Sequence, residues 1–132
     1  MVFRRLFIAL AFAAIASACG GIIDPAKNKV ETFSGTLQVG GSSTFNYSWD
    51  KNGEIEVTIT SVSPTPANGA IFFALGQIQN GSCFQLSGYL AQGIVNRKAQ
   101  FGVLNKGSYC LVVYDPGVLT VPVTFTGNFS HP

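Results

Sequence analysis

The stretch TFNYSWDKNGEIEVTIT, residues 44–60, decides the fold. Phe45, Tyr47 and Trp49 alternate with Thr44, Asn46 and Ser48; beyond the turn, Ile55, Val57 and Ile59 alternate with Glu56, Thr58 and Thr60. Successive side chains of a strand point to opposite faces, so this period of two gives each run one apolar face. Between the runs, Asn52-Gly53 supplies the backbone freedom of a tight turn. The pattern predicts a hairpin whose aromatic and aliphatic faces enter one core.

The same punctuation extends in both directions. AIFFAL, residues 70–75, is apolar throughout and predicts a strand buried on both faces or near the middle of a sheet. Further strands are expected over residues 32–39, 83–90, 99–104, 109–114 and 119–129, separated by SPTPANG, QNGS, NKG and DPG, which carry the residues that set turn geometry. Pro122 has no N–H for a ladder, which places it at an edge or a bulge. About eight short strands predict an all-β, antiparallel two-sheet sandwich, jelly-roll-like, in preference to a closed barrel.

Upstream the pattern changes. MVFRR carries two positive charges, and residues 6–16 contain no charge, Gly or Pro. A membrane span needs about 20 apolar residues, so this run is a secretory signal helix, excluded from the fold. The four residues Ala16-Ser17-Ala18-Cys19 resemble the lipobox of bacterial lipoproteins. That resemblance implies that Cys19 is acylated and becomes the mature first residue. Ordinary cleavage after Ala18, releasing a secreted protein, is the alternative. Gly20 lacks the Asp that commonly retains lipoproteins at the inner membrane, so the resemblance favours the outer membrane. Residues 1–18 are thus read as signal, 19–30 as tether and 31–132 as the folded domain.

Three cysteines, Cys19, Cys83 and Cys110, leave an odd thiol in an exported chain. Lipidation of Cys19 accounts for one, and Cys83 and Cys110 then pair in an oxidising compartment; both remaining as buried free thiols is the alternative. A bridge closing a loop of 28 residues contributes roughly 3 to 4 kcal/mol on the loop-entropy model. Removing 18 of the 132 residues leaves 114, the size of one domain, and the six remaining Lys/Arg balance six Asp/Glu. A phosphate-tracking surface needs clustered positive charge, so nucleic acid is not an expected partner.

The segment GSYCLVVYDPGVLTVPVTFTGNFSHP, residues 107–132, together with FSGTLQVGGSSTFNYSW, residues 33–49, resembles the bacterial pre-peptidase C-terminal domain. This family is a small β-sandwich appended to secreted peptidases and other exported proteins. The resemblance covers about residues 31–131 and implies an accessory module. No peptidase domain accompanies it in this chain, and the acidic residues through which some relatives bind calcium have no full counterpart here.

No residue cluster is assigned catalysis, and no metal or cofactor is implied. His131, the single histidine, lies one residue from the end, where chains are commonly mobile. Glu54 and Glu56 share a strand face, but acid–base pairs must flank a cleft. Asp50, Asn52 and Glu54 echo a calcium loop without its twelve-residue frame. Phe45, Tyr47 and Trp49 are expected in the core; Tyr89 and Tyr114, near expected strand ends, are the candidate surface contacts. The expected function is that of a non-enzymatic envelope lipoprotein binding a protein or surface polysaccharide. The alternatives are a structural subunit of an envelope assembly or a secreted carbohydrate-binding module.

Overall fold

A computed structural model describes residues 25–132; the signal segment and residues 19–24 of the tether, Cys19 among them, lie outside these. After a short 3-10 turn at Pro25–Lys27, eight strands follow: β1 (Lys29–Leu37), β2 (Ser42–Trp49), β3 (Gly53–Ser63), β4 (Ala70–Gln79), β5 (Ser82–Ile94), β6 (Lys98–Leu104), β7 (Gly107–Tyr114) and β8 (Val123–His131). They form two antiparallel sheets of four, ordered β1-β8-β3-β6 and β2-β7-β4-β5. The pairing is concentric, first strand with last and fourth with fifth, which is the order of a jelly roll.

The expected hairpin between β2 and β3 does not form, because the two strands lie in opposite sheets. Facing sheets stand about 10 Å apart, a gap three linking residues can cross. Opposed sheets let the two apolar faces pack against each other, whereas a ribbon would set them side by side. Asn52 secures the crossing by accepting a hydrogen bond from the Lys106 amide at 2.9 Å.

Aromatic rings join the layers. Tyr47 of one sheet stacks on Phe129 of the other with centroids 4.0 Å apart, and Phe33 meets Phe45 across the sandwich at 5.2 Å. Trp49 stacks on Tyr109 at 4.3 Å and donates its indole N–H to the Asn105 carbonyl. Such pairs add about 0.5–1.5 kcal/mol beyond area burial. Tyr47 and Trp49 are thus core residues, as their alternation requires, and Phe45 packs partly buried against them. β4 is an interior strand: Ile71, Phe73 and Leu75 fill the core, and the small Ala70 and Ala74 on its other face are also buried.

Two further departures have local causes. The last strand starts at Val123 instead of residue 119. Oδ1 of Asp115 accepts the amides of Gly117, Val118 and Leu119, gathering residues 115–119 into a loop, and Oδ2 accepts the Gly40 amide of the neighbouring turn at 2.7 Å. Leu119 plugs the core from this loop, and Pro122 ends it just before the ladder begins. β5 continues to Ile94, so Tyr89 sits within the strand, not near its end.

Candidate interaction surfaces

Cys83 on β5 and Cys110 on β7 form a disulfide with Cα atoms 6.0 Å apart. Because β4 lies between those strands, the bridge crosses over it at Gly76, where a Cβ would lie 2.8 and 2.9 Å from the two sulfurs. The bridge thus needs both curvature of the β4–β5 hairpin and the absence of a side chain at Gly76.

That curvature shapes the edge. β5 pairs only with β4 and carries no charged residue and no proline in Ser82–Ile94. Leu90 pairs with Ala74 and Gln85 with Gly76, so Leu86, Ser87, Gly88 and Tyr89 together oppose Leu75. Gly88, at φ +82°, accommodates this four-residue bulge. The bulge turns Leu86 and Tyr89 against the core, while Phe84 and Leu90 remain 53% exposed.

Between β5 and β6, an edge strand of the facing sheet, runs a seam. Tyr89 stacks loosely on Phe101 across it, with centroids 6.2 Å apart. Beside this contact opens a groove of about 490 Å³ lined by Leu86, Tyr89, Val103, Lys106 and Tyr109, with Gln77 at its side. The Tyr109 hydroxyl donates to the Asn105 carbonyl at 2.9 Å, and burial, with Tyr89 nearby, pushes its phenol above the ordinary range. Tyr89 therefore belongs to a concave surface. Tyr114 lies elsewhere, beside Phe72 at 6.1 Å, with Phe72 and Tyr114 on neighbouring strands β4 and β7.

The outer face of the β1-β8-β3-β6 sheet is polar. Glu54 and Glu56 both project there, as their spacing dictates, into a groove of that face, and Glu56 is paired with Lys98 at 3.0 Å. Asp115 is equally committed: burial pushes its carboxyl up, but the amides of Gly40, Val118, Leu119 and Gly117 outweigh this and hold it below its ordinary value. Among the described residues no group of three or more His, Cys, Asp and Glu is placed to hold a metal ion.

His131 corrects the expectation of a mobile terminus. It is 2% exposed, and its Nε2 lies 2.8 Å from Glu31 Oε1 while the ring stacks against Trp49. Lys29 also pairs with Glu31 at 2.8 Å, and Lys29 and then His131 hold the Glu31 carboxyl below its usual value. Burial, and then Glu31, pushes the Tyr47 phenol up to about 12. This cluster ties β1 to β8 at the N-terminal pole. Sequence reading had no signal for it, since Glu31 and His131 are 100 residues apart.

No protein-family model matches the chain, and no curated protein matches it. Among solved structures it is similar to the Yersinia pseudotuberculosis-derived mitogen, with TM-score 0.56 and 12% identity over 80% of this chain and 87% of that one. It is similar also to an Aeromonas hydrophila periplasmic lysozyme inhibitor of g-type lysozyme, with TM-score 0.53 and 13% identity over 80% and 88%. The pre-peptidase C-terminal domain of a Bacillus anthracis collagenase aligns with TM-score 0.43 and 19% identity over 76% and 86%. At these identities the likeness is one of fold, a β-sandwich found in bacterial proteins.

Proposed function

We propose that the protein is a non-enzymatic binding module of the bacterial cell envelope, held to the membrane by acyl chains on Cys19, that retains a protein partner along the β5 edge. One observation carries the reading: a thirteen-residue edge strand that is unpaired on its outer side and lacks both charge and proline. Such an edge is a template for another strand on either side of its bulge, along residues 82–85 and 90–94; proteins that must not pair there place lysine, proline, bulges or a covering loop along it. An added strand gains main-chain hydrogen bonds, and its side chains select for pockets. Here Phe84 and Leu90 supply apolar contacts, and the groove at Leu86 and Tyr89 supplies the pocket.

The address rests on the lipobox resemblance and on the odd cysteine. With Cys83 and Cys110 bridged, Cys19 is the remaining thiol, and two or more acyl chains hold a protein stably at a bilayer where one does not. Gly20 after the cysteine favours the outer membrane. The Aeromonas protein named as a lysozyme inhibitor acts on a protein, which accords with a protein partner here.

The test is migration after mild detergent extraction of the full-length chain. The wild type is expected in a complex larger than itself. Leu90→Lys sets a charge on the exposed edge and is expected to release the free chain, whereas Val39→Lys, exposed on the turn before β2 at the other edge of the same sheet, leaves the complex intact. A wild type that migrates alone, or a Leu90→Lys variant that stays in the complex, overturns the reading.

A further inference from the structure

The outer face of the β1-β8-β3-β6 sheet contains a groove of about 520 Å³, within the roughly 300–1,000 Å³ range of ligand clefts. One wall is the Pro25–Lys27 turn, held by Asn28, whose Nδ2 donates to the Glu54 carbonyl at 2.9 Å and to Ser130 Oγ at 3.2 Å. The far side is set by β6, where Gly102, at φ +74°, leaves the surface open. The groove is therefore preformed.

Its polar groups are unspent. Asn128 Oδ1 accepts from Thr32 Oγ1 at 3.1 Å, which leaves the NH₂ of Asn128 without a protein partner among the described residues. The Gln100 amide and the Glu54 carboxylate are likewise without partners there. Three adjacent strands, β8, β3 and β6, thus present donors and acceptors side by side. Glu56 and Lys98 neutralise each other, so the net charge comes from Glu54.

This chemistry selects by elimination. A single unpaired carboxylate disfavours phosphate and carboxylate polymers, and the amides give a metal ion too few charged ligands. Hydroxyl groups both donate and accept, which matches amides beside a carboxylate. Val30, 58% exposed, and Pro25 add apolar surface for the C–H face of a ring. From this geometry we infer a second binding site, separate from the β5 edge, for a neutral saccharide chain. No aromatic ring lines the groove, so binding is expected in the millimolar range.

The experiment is an NMR titration of the ¹⁵N-labelled full-length chain in detergent micelles with three probes: cellotetraose, tetra-N-acetylchitotetraose and, as the acidic control, tetragalacturonate. The expected result is a saturable shift of the Gln100 and Asn128 side-chain NH₂ signals and the Gly102 amide with a neutral probe, and none with the acidic one. Gln100→Ala, at an exposed site, is expected to raise Kd about fivefold, the loss of one hydrogen bond. Leu90→Lys should leave Kd unchanged. Absence of shifts with both neutral probes, or equal shifts with tetragalacturonate, overturns the inference.

Discussion

Replacing Gly76 by alanine probes the geometry that gives β5 its shape. In a flat sheet the two strands flanking a central one stand about 9.5 Å apart, yet Cys83 and Cys110 have Cα atoms 6.0 Å apart. The hairpin must therefore curl so that the bridge lies over β4. An alanine Cβ at position 76 would lie 2.7 Å from the Phe84 carbonyl oxygen, 2.8 Å from Cys110 Sγ and 2.9 Å from Cys83 Sγ. Overpacking a well-filled site costs about 1–3 kcal/mol, and these partners are backbone and a cross-link, which cannot swing aside, so the upper end applies. If the bridge opened instead, the loss would be about 3.5 kcal/mol for its 28-residue loop on the entropy model. Either route lowers stability by about 3 kcal/mol. In a Cys83→Ala/Cys110→Ala background the two sulfur contacts vanish, and the same substitution should cost only about 1 kcal/mol, a coupling of about 2 kcal/mol. Urea unfolding of the four full-length chains under oxidising conditions measures the cycle, and the cavity left at Cys110 cancels between its arms. Equal costs in the two backgrounds, within about 0.5 kcal/mol, would refute the crossing of the bridge over Gly76.

Other consequences are open to simple assays. Phe129 is fully buried and stacked on Tyr47, so Phe129→Ala is expected to lower unfolding stability by about 3–5 kcal/mol; a loss below about 1 kcal/mol would contradict its place in the core. Glu31 and Asp115 both titrate lower in the folded than in the unfolded chain, so their stabilisation is complete above the unfolded values, near pH 4, and fades as pH falls through the folded ones. Stability measured from pH 6 down to about pH 2 should therefore fall steeply in the wild type and more shallowly in Glu31→Gln/Asp115→Asn, with parallel curves counting against the two clusters. The intact mass of membrane-extracted protein should show loss of residues 1–18, added acyl chains and two thiols alkylated only after reduction; an unmodified Cys19 on a soluble product would mean secretion without an anchor.

Strand number and the two-sheet, all-β class were legible because period-two alternation is local: Phe45 to Trp49 and Ile55 to Ile59 each announce a face. The partner of a strand is not local. The residues 50–52 read equally as a hairpin turn or a crossing between sheets, and the choice depends on Phe129 and Tyr109, which fill the space between the layers. The false start at residue 119 has a similar origin, since apolar Leu119 marks burial without marking pairing.

The candidate surfaces were less visible. The sequence marks Tyr89 as a candidate surface contact near a strand end, yet its place in the seam comes from a bulge that only the register with β4 reveals. Gln100, Asn128 and Asn28 gave no signal, because single amides on separate strands form a groove only once β6, β3 and β8 lie side by side. Nearness to a terminus says nothing about the Glu31 carboxylate on β1 that holds His131.

Hydrogen–deuterium exchange of the full-length protein, free and in its detergent-extracted complex, tests strand addition most directly. In the free chain the outward amides of β5 are expected to exchange quickly, and in the complex protection should rise in residues 82–94 and in the facing turn at residues 103–106. Protection confined to other surfaces, or no change along β5, would contradict the β5 edge as the binding site.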